Sequence, residues 1–419
     1  MRIRTQNIRN EDAFLLRGNG DELSSALPEG MIFLLIALLI LLFGLSMLYS
    51  TSFAQTGTGM FMKQVMWTGI GMMMFAGVVL LGHDRIASLS PFLLAGLIIL
   101  LLLPVTVMRH KVNGAFRWIV LGPIRLQPSE FAKVVMVIFW ANFLSRRSRQ
   151  IELEPLKKIC PVMFGSLAVV ALLIMAGRDL GTTALLCIVF FSMLFVGGVP
   201  LRYVLPVPAL ALGGLLGINI PLVRGLLMKI GILTQYRMAR LTSYLDPEQF
   251  ADKEGYQLWH SQLALGSGSW TGIGFTESRF KLQYLPEAHT DFILAIVGEE
   301  LGFVFIGLVI FVYILFMLLG YLICRKARTR QGMLIAFGMT TFMAVQAFIN
   351  IGVICGALPT KGMPAPLISY GGSSLVTCLT AAGLIFSVAL DSAYPDYPDA
   401  IRQKVRFLFH GKGAGNETA

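Results

Sequence analysis

Long apolar runs with few charges constrain this chain more strongly than any other feature of its sequence. Each run has enough residues to cross a hydrocarbon core of about 30 Å at roughly 1.5 Å per residue. Because 56% of the residues are hydrophobic and 14% are charged, we predict an all-α polytopic membrane protein with about ten transmembrane helices. The runs cover residues 31–51, 64–82, 88–107, 128–145, 160–177, 181–198, 203–222, 291–321, 332–355 and 371–391.

Basic residues fall in alternate loops between these runs, and this pattern predicts the orientation of the chain. Lys and Arg gather in cytoplasmic loops, so the loops around Arg146 and Arg325 lie inside. Both termini are then cytoplasmic, with a tail of residues 1–30, a transmembrane domain of residues 31–391 and a second tail of residues 392–419. The formal net charge of +11 is explained by these loops and needs no nucleic-acid partner.

The sequence carries no metal, nucleotide or disulfide signature. Its five cysteines lie in apolar runs or at their ends, and no two share a polar loop. No zinc spacing, P-loop or dinucleotide fingerprint occurs. We therefore predict no metal-ligating residues and no certain cofactor, although a divalent cation is compatible with the chain.

A large outer loop, residues 223–290, separates the seventh and eighth runs and is too long for a simple connector. Residues 236–241 are predicted to form an amphipathic helix on the membrane surface. The glycine-rich stretch 266–274 permits positive φ and close backbone approach. It could cradle a phosphate or simply turn the chain, and the sequence leaves both interpretations open.

Asp291 stands at the end of this loop, directly before an apolar run. An ionisable residue at the mouth of a membrane helix is a candidate functional group. The alternative is that Thr290 or Asp291 caps the helix, which contributes roughly 0.5–2 kcal/mol. Gly298 and Gly302 follow Asp291 at spacings that share one helical face, and small residues let another element approach closely. The face carrying Asp291 is therefore predicted to point into the bundle.

Other costly polar groups concentrate on the same predicted outer side. Structural explanations compete with functional ones: Glu130 and Lys133 could be an internal ion pair, Arg178 and Asp179 a helix-end pair, and the serines after residue 368 a turn. Together they predict a cationic cavity with one prominent carboxylate, suited to a phosphate-bearing lipid. The candidate binding residues are Arg117, Lys133, Asp179, Arg237, Arg240, Glu287, Lys361 and Ser369.

Five motifs in series carry a resemblance to a known family: NGAFRW (113–118), QPSEFAK (127–133), DLGT (179–182), LPEAHTDF (285–292) and ISYGGSS (368–374). In order and spacing they resemble the SEDS family over residues 31–391. The tetrapeptide PTKG (359–362) and the polar N-terminal tail resemble the division-type branch, FtsW, more than the elongation-type branch, RodA. One departure is Gly177-Arg178, where the family has Gln-Pro or Glu-Pro before the DLGT motif.

The resemblance implies a peptidoglycan glycosyltransferase that polymerises lipid II at the outer face of the cytoplasmic membrane during septum formation. The family's essential Asp maps onto Asp291, which is expected to act as the general base. The implied partners are a class B penicillin-binding protein (an FtsI-type transpeptidase) and divisome membrane proteins of the FtsQ, FtsL and FtsB type. Two other functions stay open from the residues alone: a lipid II flippase and a non-catalytic divisome scaffold.

Overall fold

The structure, a computed structural model, is mostly helical. It describes residues 25–106, 117–122, 124–216, 220–229, 238, 243–244, 247–251, 255–282, 284–359, 361–395 and 397–399. In the first half of the chain the helices and strands are α1 (Leu27–Thr56), α2 (Gly59–Leu81), α3 (His83–Ser88), α4 (Ser90–Thr106), β1 (Ile119–Leu121), β2 (Ile124–Leu126), α5 (Pro128–Ser145), α6 (Ser148–Leu153), α7 (Cys160–Ala176) and α8 (Leu180–Val196).

In the second half they are α9 (Leu201–Val204), α10 (Pro206–Leu216), α11 (Pro221–Lys229), α12 (Tyr256–Ser267), α13 (Ile293–Arg325), α14 (Arg330–Ile354) and α15 (Gly372–Ala393). Single helical turns at Pro155–Ile159 and Phe280–Leu282 connect some of them. Within the described residues, six helical segments are long and apolar enough to cross a membrane. They are Leu27–Phe53, Gly59–Leu81, Lys157–Ala176, Ile293–Arg325, Arg330–Ile354 and Gly372–Ala393.

Nine of the ten predicted runs correspond to a described helix whose ends lie within about five residues of the prediction. The seventh run, residues 203–222, is wrong as a continuous helix because the chain bends at Leu205. Pro206 lacks the N–H that would continue α9, and it starts α10 instead. Helices α4 and α8 are apolar but shorter than the six long segments.

A short antiparallel hairpin corrects the all-α prediction. Strands β1 and β2 pair Ile119 with Leu126 and Leu121 with Ile124, in the segment predicted to be the second outer loop. Strand β2 leads directly into α5 and contacts α15. The hairpin therefore holds the start of α5 against the bundle.

Helices α5, α14 and α15 form the centre of the bundle. Helix α15 packs along α2 and also contacts α1, α5 and α14, while α14 packs against α5, α8 and α13. Small residues allow these close approaches: a Cβ at Gly71 would lie 2.5 Å from Leu379, and one at Gly338 would lie 2.5 Å from Val137. The long apolar helices on the outside leave large hydrophobic side chains exposed, as a lipid environment requires.

Helix α13 is interrupted at Gly302, whose φ of 83° and ψ of 176° are not helical. A straight helix would pair Phe303 N with Glu299 O and Val304 N with Glu300 O. Instead, Phe303 N donates to Ser269 O at 2.9 Å and Val304 N donates to Trp270 O at 3.3 Å. At the break, two backbone N–H groups of α13 therefore donate to carbonyl groups of the glycine-rich stretch instead of to the helix.

The glycine-rich stretch in turn donates two hydrogen bonds to α13. Ile273 N donates to Glu299 O and Gly274 N donates to Glu300 O, each at 3.0 Å. The backbone N–H groups of Phe303 and Val304 and the carbonyl groups of Glu299 and Glu300 thus all have new partners, as burial requires. These N–H groups are used within the protein, so the turn interpretation of residues 266–274 is the one that the structure supports.

The two glycines after Asp291, Gly298 and Gly302, each allow a close approach, but to different parts of the chain. A Cβ at Gly298 would lie against Leu265 of α12, so a helix does approach closely there. A Cβ at Gly302 would instead lie 2.5 Å from the carbonyl oxygen of Trp270. The prediction of one continuous helical face from Asp291 to Gly302 is wrong, because α13 begins at Ile293 and breaks at Gly302.

Candidate functional site

Asp291 lies where the chain before α13 meets the segment between α14 and α15. The Asn350 side-chain amide donates to the Asp291 carbonyl oxygen and to the Met363 carbonyl oxygen, each at 2.7 Å. A Cβ at Gly362 would lie 2.5 Å from Asp291 Oδ2. Asn350 thus fixes both segments, and the missing side chain at Gly362 leaves room for the carboxylate.

The Asp291 carboxylate accepts no hydrogen bond from the residues that the structure describes. Burial raises its pKa to about 7, and the negative charges of Glu287 and, more weakly, Glu130 act in the same direction. Arg117 opposes them and lowers the pKa. A carboxylate in this setting exchanges its proton near neutral pH, as a general base requires.

The LPEAHTDF motif forms a turn rather than a helix cap. Glu287 has a φ of 57°, and its carbonyl oxygen accepts from Thr290 N at 3.1 Å and from Phe292 N at 3.3 Å. The Thr290 hydroxyl donates to Glu287 Oε2 at 2.8 Å. Phe292 is the N-cap of α13 and makes no side-chain cap, so the capping explanation for Thr290 and Asp291 is wrong.

The ISYGGSS motif packs directly against this turn. Tyr370 N donates to the His289 carbonyl oxygen at 2.9 Å, and the two rings meet edge-on at 5.7 Å. Burial lowers the pKa of His289, although Glu287 opposes the shift. Ser369 is buried, and its hydroxyl accepts from Ala365 N at 2.8 Å. Ser369 therefore closes a turn, and its role in substrate binding stays a prediction.

Lys133 is buried beside this site and is fully engaged with protein groups. Its Nζ donates to Glu130 Oε2 and to Gln346 Oε1, each at 2.7 Å, and only 1% of the side chain is exposed. Gln346 Nε2 donates in turn to the Pro364 carbonyl oxygen at 2.8 Å. The internal ion pair is present, and it connects α5, α14 and the segment that covers Asp291.

Gln346 and Asn350 are residues of the candidate site that the sequence analysis missed. They lie four positions apart on α14, so both face the same side of that helix. A signal existed, because two amide side chains on one face of an apolar run are costly without partners. Asn350 Oδ1 is buried and has no hydrogen-bond partner among the described residues.

Asp179 caps α8 and joins it to the start of α5. Its carboxylate accepts from Thr182 N at 3.2 Å, the Thr182 hydroxyl at 2.9 Å, the Ser129 hydroxyl at 2.9 Å and Gln127 Nε2 at 3.1 Å. The two oxygens of the Asp179 carboxylate therefore accept four hydrogen bonds from protein groups. A direct contact from Asp179 to a substrate stays a prediction.

Lys361 lies over the first turn of α8. A Cβ at Gly181 would be 2.7 Å from Lys361 Cε, so the lysine stem passes along the glycine. The neighbouring Gly362 faces Asp291, and these two residues therefore connect the capped end of α8 with the carboxylate. The Lys361 side chain itself lies against Gly181 of α8.

Most of the predicted site residues converge here. Arg117 acts electrostatically on Asp291, and its buried Nε has no hydrogen-bond partner among the described residues. Arg237 and Arg240 lie outside the described residues, as does most of the predicted surface helix 236–241. Within the described residues, the group of side chains able to share a metal ion is His83, Asp84 and Asp391, at the other end of the bundle.

Comparisons with known proteins agree on one family. Residues 30–394 match the family described as "Cell cycle protein", FTSW_RODA_SPOVE. A probable peptidoglycan glycosyltransferase FtsW from Nitrosococcus halophilus is 41% identical over 309 residues, which cover 72% of this chain and 75% of the relative. One of the same name from Aliivibrio salmonicida is 36% identical over 362 residues, covering 84% of this chain and 87% of the relative.

Two solved structures share the fold. A chain from a study of the structural coordination of polymerization and crosslinking by a peptidoglycan synthase complex superposes with a TM-score of 0.69 and 25% identity. The superposed region covers 87% of this chain and 98% of the matching chain. The rod shape determining protein RodA of Thermus thermophilus gives a TM-score of 0.62 at 23% identity, covering 86% of this chain and 97% of its own.

Proposed function

The chain belongs to the FtsW, RodA and SpoVE family of cell cycle proteins, and on that premise we propose that it is a peptidoglycan glycosyltransferase. It polymerises lipid II into glycan strands during cell division. The relatives named FtsW support the division role, because they match over most of both chains.

The proposed reaction joins two lipid-linked disaccharides. The 4-hydroxyl oxygen of the acceptor sugar attacks the anomeric carbon of the donor sugar, and the bond from that carbon to the donor's pyrophosphate breaks. Undecaprenyl pyrophosphate leaves with the electron pair, and the linkage inverts from α to β. Asp291 takes the proton of the attacking hydroxyl, so the new glycosidic bond forms with the charges balanced.

The observation that carries this assignment is the unbonded, partly buried carboxylate of Asp291. Its pKa of about 7 leaves a large fraction deprotonated at neutral pH, while its basicity exceeds that of an ordinary Asp. No donor from the described residues competes for its lone pairs. The carboxylate is therefore free to accept the proton of a sugar hydroxyl.

Cations around Asp291 suit the pyrophosphate of a lipid-linked substrate. Arg117 acts electrostatically on the carboxylate, and its buried Nε, which has no hydrogen-bond partner among the described residues, is a ready donor to phosphate oxygens. Lys361 is the neighbour of Gly362, which lies against the carboxylate, and we propose it as a second cationic contact. Arg237 and Arg240 are proposed as further contacts. Lys133, Asp179, Glu287 and Ser369 are engaged with protein groups, so we propose that they position the surrounding segments.

We propose that ten segments span the bacterial inner membrane, with both termini in the cytoplasm and Asp291 at the outer face. The basic cluster that includes Arg325 and Lys326 follows the far end of α13, which supports this orientation. At the septum, the proposed partners are a class B penicillin-binding protein and divisome proteins of the FtsQ, FtsL and FtsB type. The matching chain from a peptidoglycan synthase complex supports the first of these.

The test is lipid II polymerisation by purified protein, with its penicillin-binding partner and with moenomycin to silence other polymerases. Asp291→Asn keeps the side-chain shape and removes the base, so glycan strands are expected from the wild type only. The matched control is Glu154→Gln, which removes a carboxylate from an exposed ion pair with Lys158. That variant is expected to polymerise like the wild type.

Other outcomes separate the competing functions. Near-wild-type strands from a folded Asp291→Asn protein would refute the base assignment but keep the enzyme. Lipid II crossing vesicle membranes without strand formation would indicate a flippase. Neither activity from the wild type, with the partner present, would indicate a scaffold.

A further inference from the structure

A second polar cluster lies at the end of the bundle opposite Asp291. His83 begins α3, Asp84 follows it, and Asp391 stands near the end of α15. One ligand atom from each lies within 4.8 Å of the other two. Ser373, which accepts from Gln127 near the Asp291 site, lies 18 residues before Asp391, a helical distance of about 27 Å.

The hydrogen bonds around His83 determine which ring nitrogen carries the proton. The Tyr397 hydroxyl donates to the Val79 carbonyl oxygen at 2.9 Å, so it accepts from the Ser387 hydroxyl at 2.8 Å. With its single proton used there, the Ser387 oxygen accepts from His83 Nδ1 at 3.3 Å. The neutral imidazole therefore carries its proton on Nδ1 and has a bare lone pair on Nε2.

That lone pair points at negative charge. His83 is 98% buried, since its exposed fraction is 2%, and Nε2 makes no hydrogen bond with any described residue. Nε2 lies 3.3 Å from Asp84 Oδ1. A bare lone pair beside carboxylate oxygens is repelled unless a positive species, either a proton or a metal ion, lies between them.

The cluster opens into a small cavity of about 50 Å³, lined by Gly82, His83, Asp84, Arg85, Asp391 and Asp399 among others. This volume exceeds the space that a single water requires. Arg85 pairs with Asp399, and Arg328 Nη1 lies 3.8 Å from Asp391 Oδ1.

We propose that His83, Asp84 and Asp391 bind a divalent transition-metal ion of the Zn²⁺ type. One imidazole nitrogen with two carboxylate oxygens is a ligand set that such ions accept, with water completing the coordination. The Ser387 hydroxyl behind Nδ1 orients the ring toward the ion, as outer groups do at metal sites. Mg²⁺ prefers oxygen ligands and is expected to bind at least tenfold more weakly.

The ion would join three parts of the chain at this end: the corner after α2, the end of α15 and the turn at Tyr397. Tyr397 belongs to the same hydrogen-bond chain as His83, so the ion fixes the exit of the C-terminal segment. The site is separate from the Asp291 site, and its test does not depend on glycosyl transfer.

The experiment titrates Zn²⁺ and Co²⁺ into metal-stripped full-length protein in nanodiscs, by calorimetry and by visible absorption of Co²⁺. The wild type is expected to bind one ion per chain, with Co²⁺ absorption bands typical of nitrogen and oxygen ligands, and to gain several degrees in Tm. His83→Asn and Asp391→Asn are expected to weaken binding at least tenfold. His260→Asn, on the far side of the protein, is the matched control and should bind like the wild type.

A variant that is expected to tighten metal binding tests the proposal even if the ligand variants fold poorly. Arg328→Gln removes the cation that competes for Asp391, so it is expected to tighten binding severalfold. If the wild type binds no stoichiometric ion, the proposal is overturned. Unchanged affinity in either Arg328→Gln or His83→Asn would overturn it as well.

Discussion

At the scale of single residues, Asp291 differs from two buried carboxylates, Asp179 and Glu300, because it accepts no hydrogen bond from the described residues. Asp179 accepts four hydrogen bonds, and Glu300 accepts from both Ser50 and Lys281. Such groups are held as structural acceptors, because accepted hydrogen bonds stabilise the charged form. Among the described residues Asp291 has charged neighbours but no hydrogen-bond donor to its carboxylate, so none of them competes with a substrate hydroxyl.

The pH dependence of strand synthesis tests this view. Because the pKa of Asp291 is about 7, the base is protonated below that pH and deprotonated above it. The rate is expected to rise about tenfold per pH unit below the midpoint and to level off above it. Single-turnover polymerisation between pH 5.5 and 8.5 measures the midpoint; a rate independent of pH across 6 to 8 would contradict the assignment.

Glu287→Gln tests the electrostatic cause of that pKa. Glu287 raises the pKa of Asp291, so removing its charge is expected to shift the midpoint of the rate profile toward lower pH by a few tenths to about one unit. A loss of rate with an unmoved midpoint would assign Glu287 a structural role only. Glu277→Gln, farther along the same loop, is the control.

At the scale of elements, the break in α13 is the feature that depends most strictly on sequence. Gly302 and Gly272 both have positive φ, and each would place a Cβ against the backbone of the other segment. Burial adds a second constraint, because an unpaired backbone group in a membrane protein costs several kcal/mol. Helix and loop therefore fit only with glycine at both positions.

Gly302→Ala is expected to destabilise the protein by about 1–3 kcal/mol or more, because alanine resists positive φ and its methyl group meets Trp270 O. Thermal unfolding in nanodiscs measures the loss, and proteolysis within residues 268–278 reports release of the loop. Gly307→Ala in the same helix has open space around its Cβ and should leave Tm nearly unchanged. Equal Tm values for both variants would contradict the proposed strain.

A buried ion pair fastens the same loop to two helices. Lys281 Nζ lies 2.7 Å from Glu300 Oε1, and the Ser50 hydroxyl of α1 donates to both Glu300 oxygens at 2.7 and 2.8 Å. Lys281 also donates to the Thr276 carbonyl oxygen at 2.6 Å. The loop, α1 and α13 thus share one charged cluster.

Lys281→Met leaves Glu300 buried without its cation and is expected to cost about 3–5 kcal/mol. Adding Glu300→Gln removes the unpaired charge, so the double variant should recover part of the loss in Tm. Lys158→Met breaks an exposed pair with Glu154 and should cost about 1 kcal/mol or less. A double variant less stable than Lys281→Met would contradict this account.

At the scale of the whole molecule, helix positions were predictable because long apolar runs leave a membrane chain few alternatives. Residues 203–222 show the limit, since average hydropathy hides the bend that Pro206 imposes. The break at Gly302 was not predictable for another reason. It depends on hydrogen bonds from a loop about thirty residues earlier, and such pairings leave no local pattern.

Several members of the candidate site were also predictable from the sequence, but their contacts with one another were not. Spacing identified Lys133 and Glu130 as neighbours, yet only the positions of Gln346 and Pro364 reveal that the lysine is fully used. Asn350 carries no charge and belongs to no quoted motif. Its role depends on two carbonyl groups brought together by the fold.

Native cysteines test the proposed orientation of the whole chain. Cys355 is exposed at the same end of α14 as Asn350, so an impermeant maleimide should label it from outside intact spheroplasts. Cys160, at the start of α7, should react only after the membrane is opened. Labelling is read by mass spectrometry, with Cys355→Ser as control; protection of Cys355 until permeabilisation would reverse the orientation.

The exchange of hydrogen bonds at Gly302 also sets an order for biogenesis. Residues 268–274 leave the ribosome before α13, but their partners on α13 exist only after that helix has been made. We expect the helix to form straight, with its own hydrogen bonds complete, and to acquire its bend only when residues 268–274 pack against it. Because half an exchange would leave backbone groups unpaired, we expect this last step to be all-or-none, so that the bend marks a chain whose glycine-rich loop has already docked.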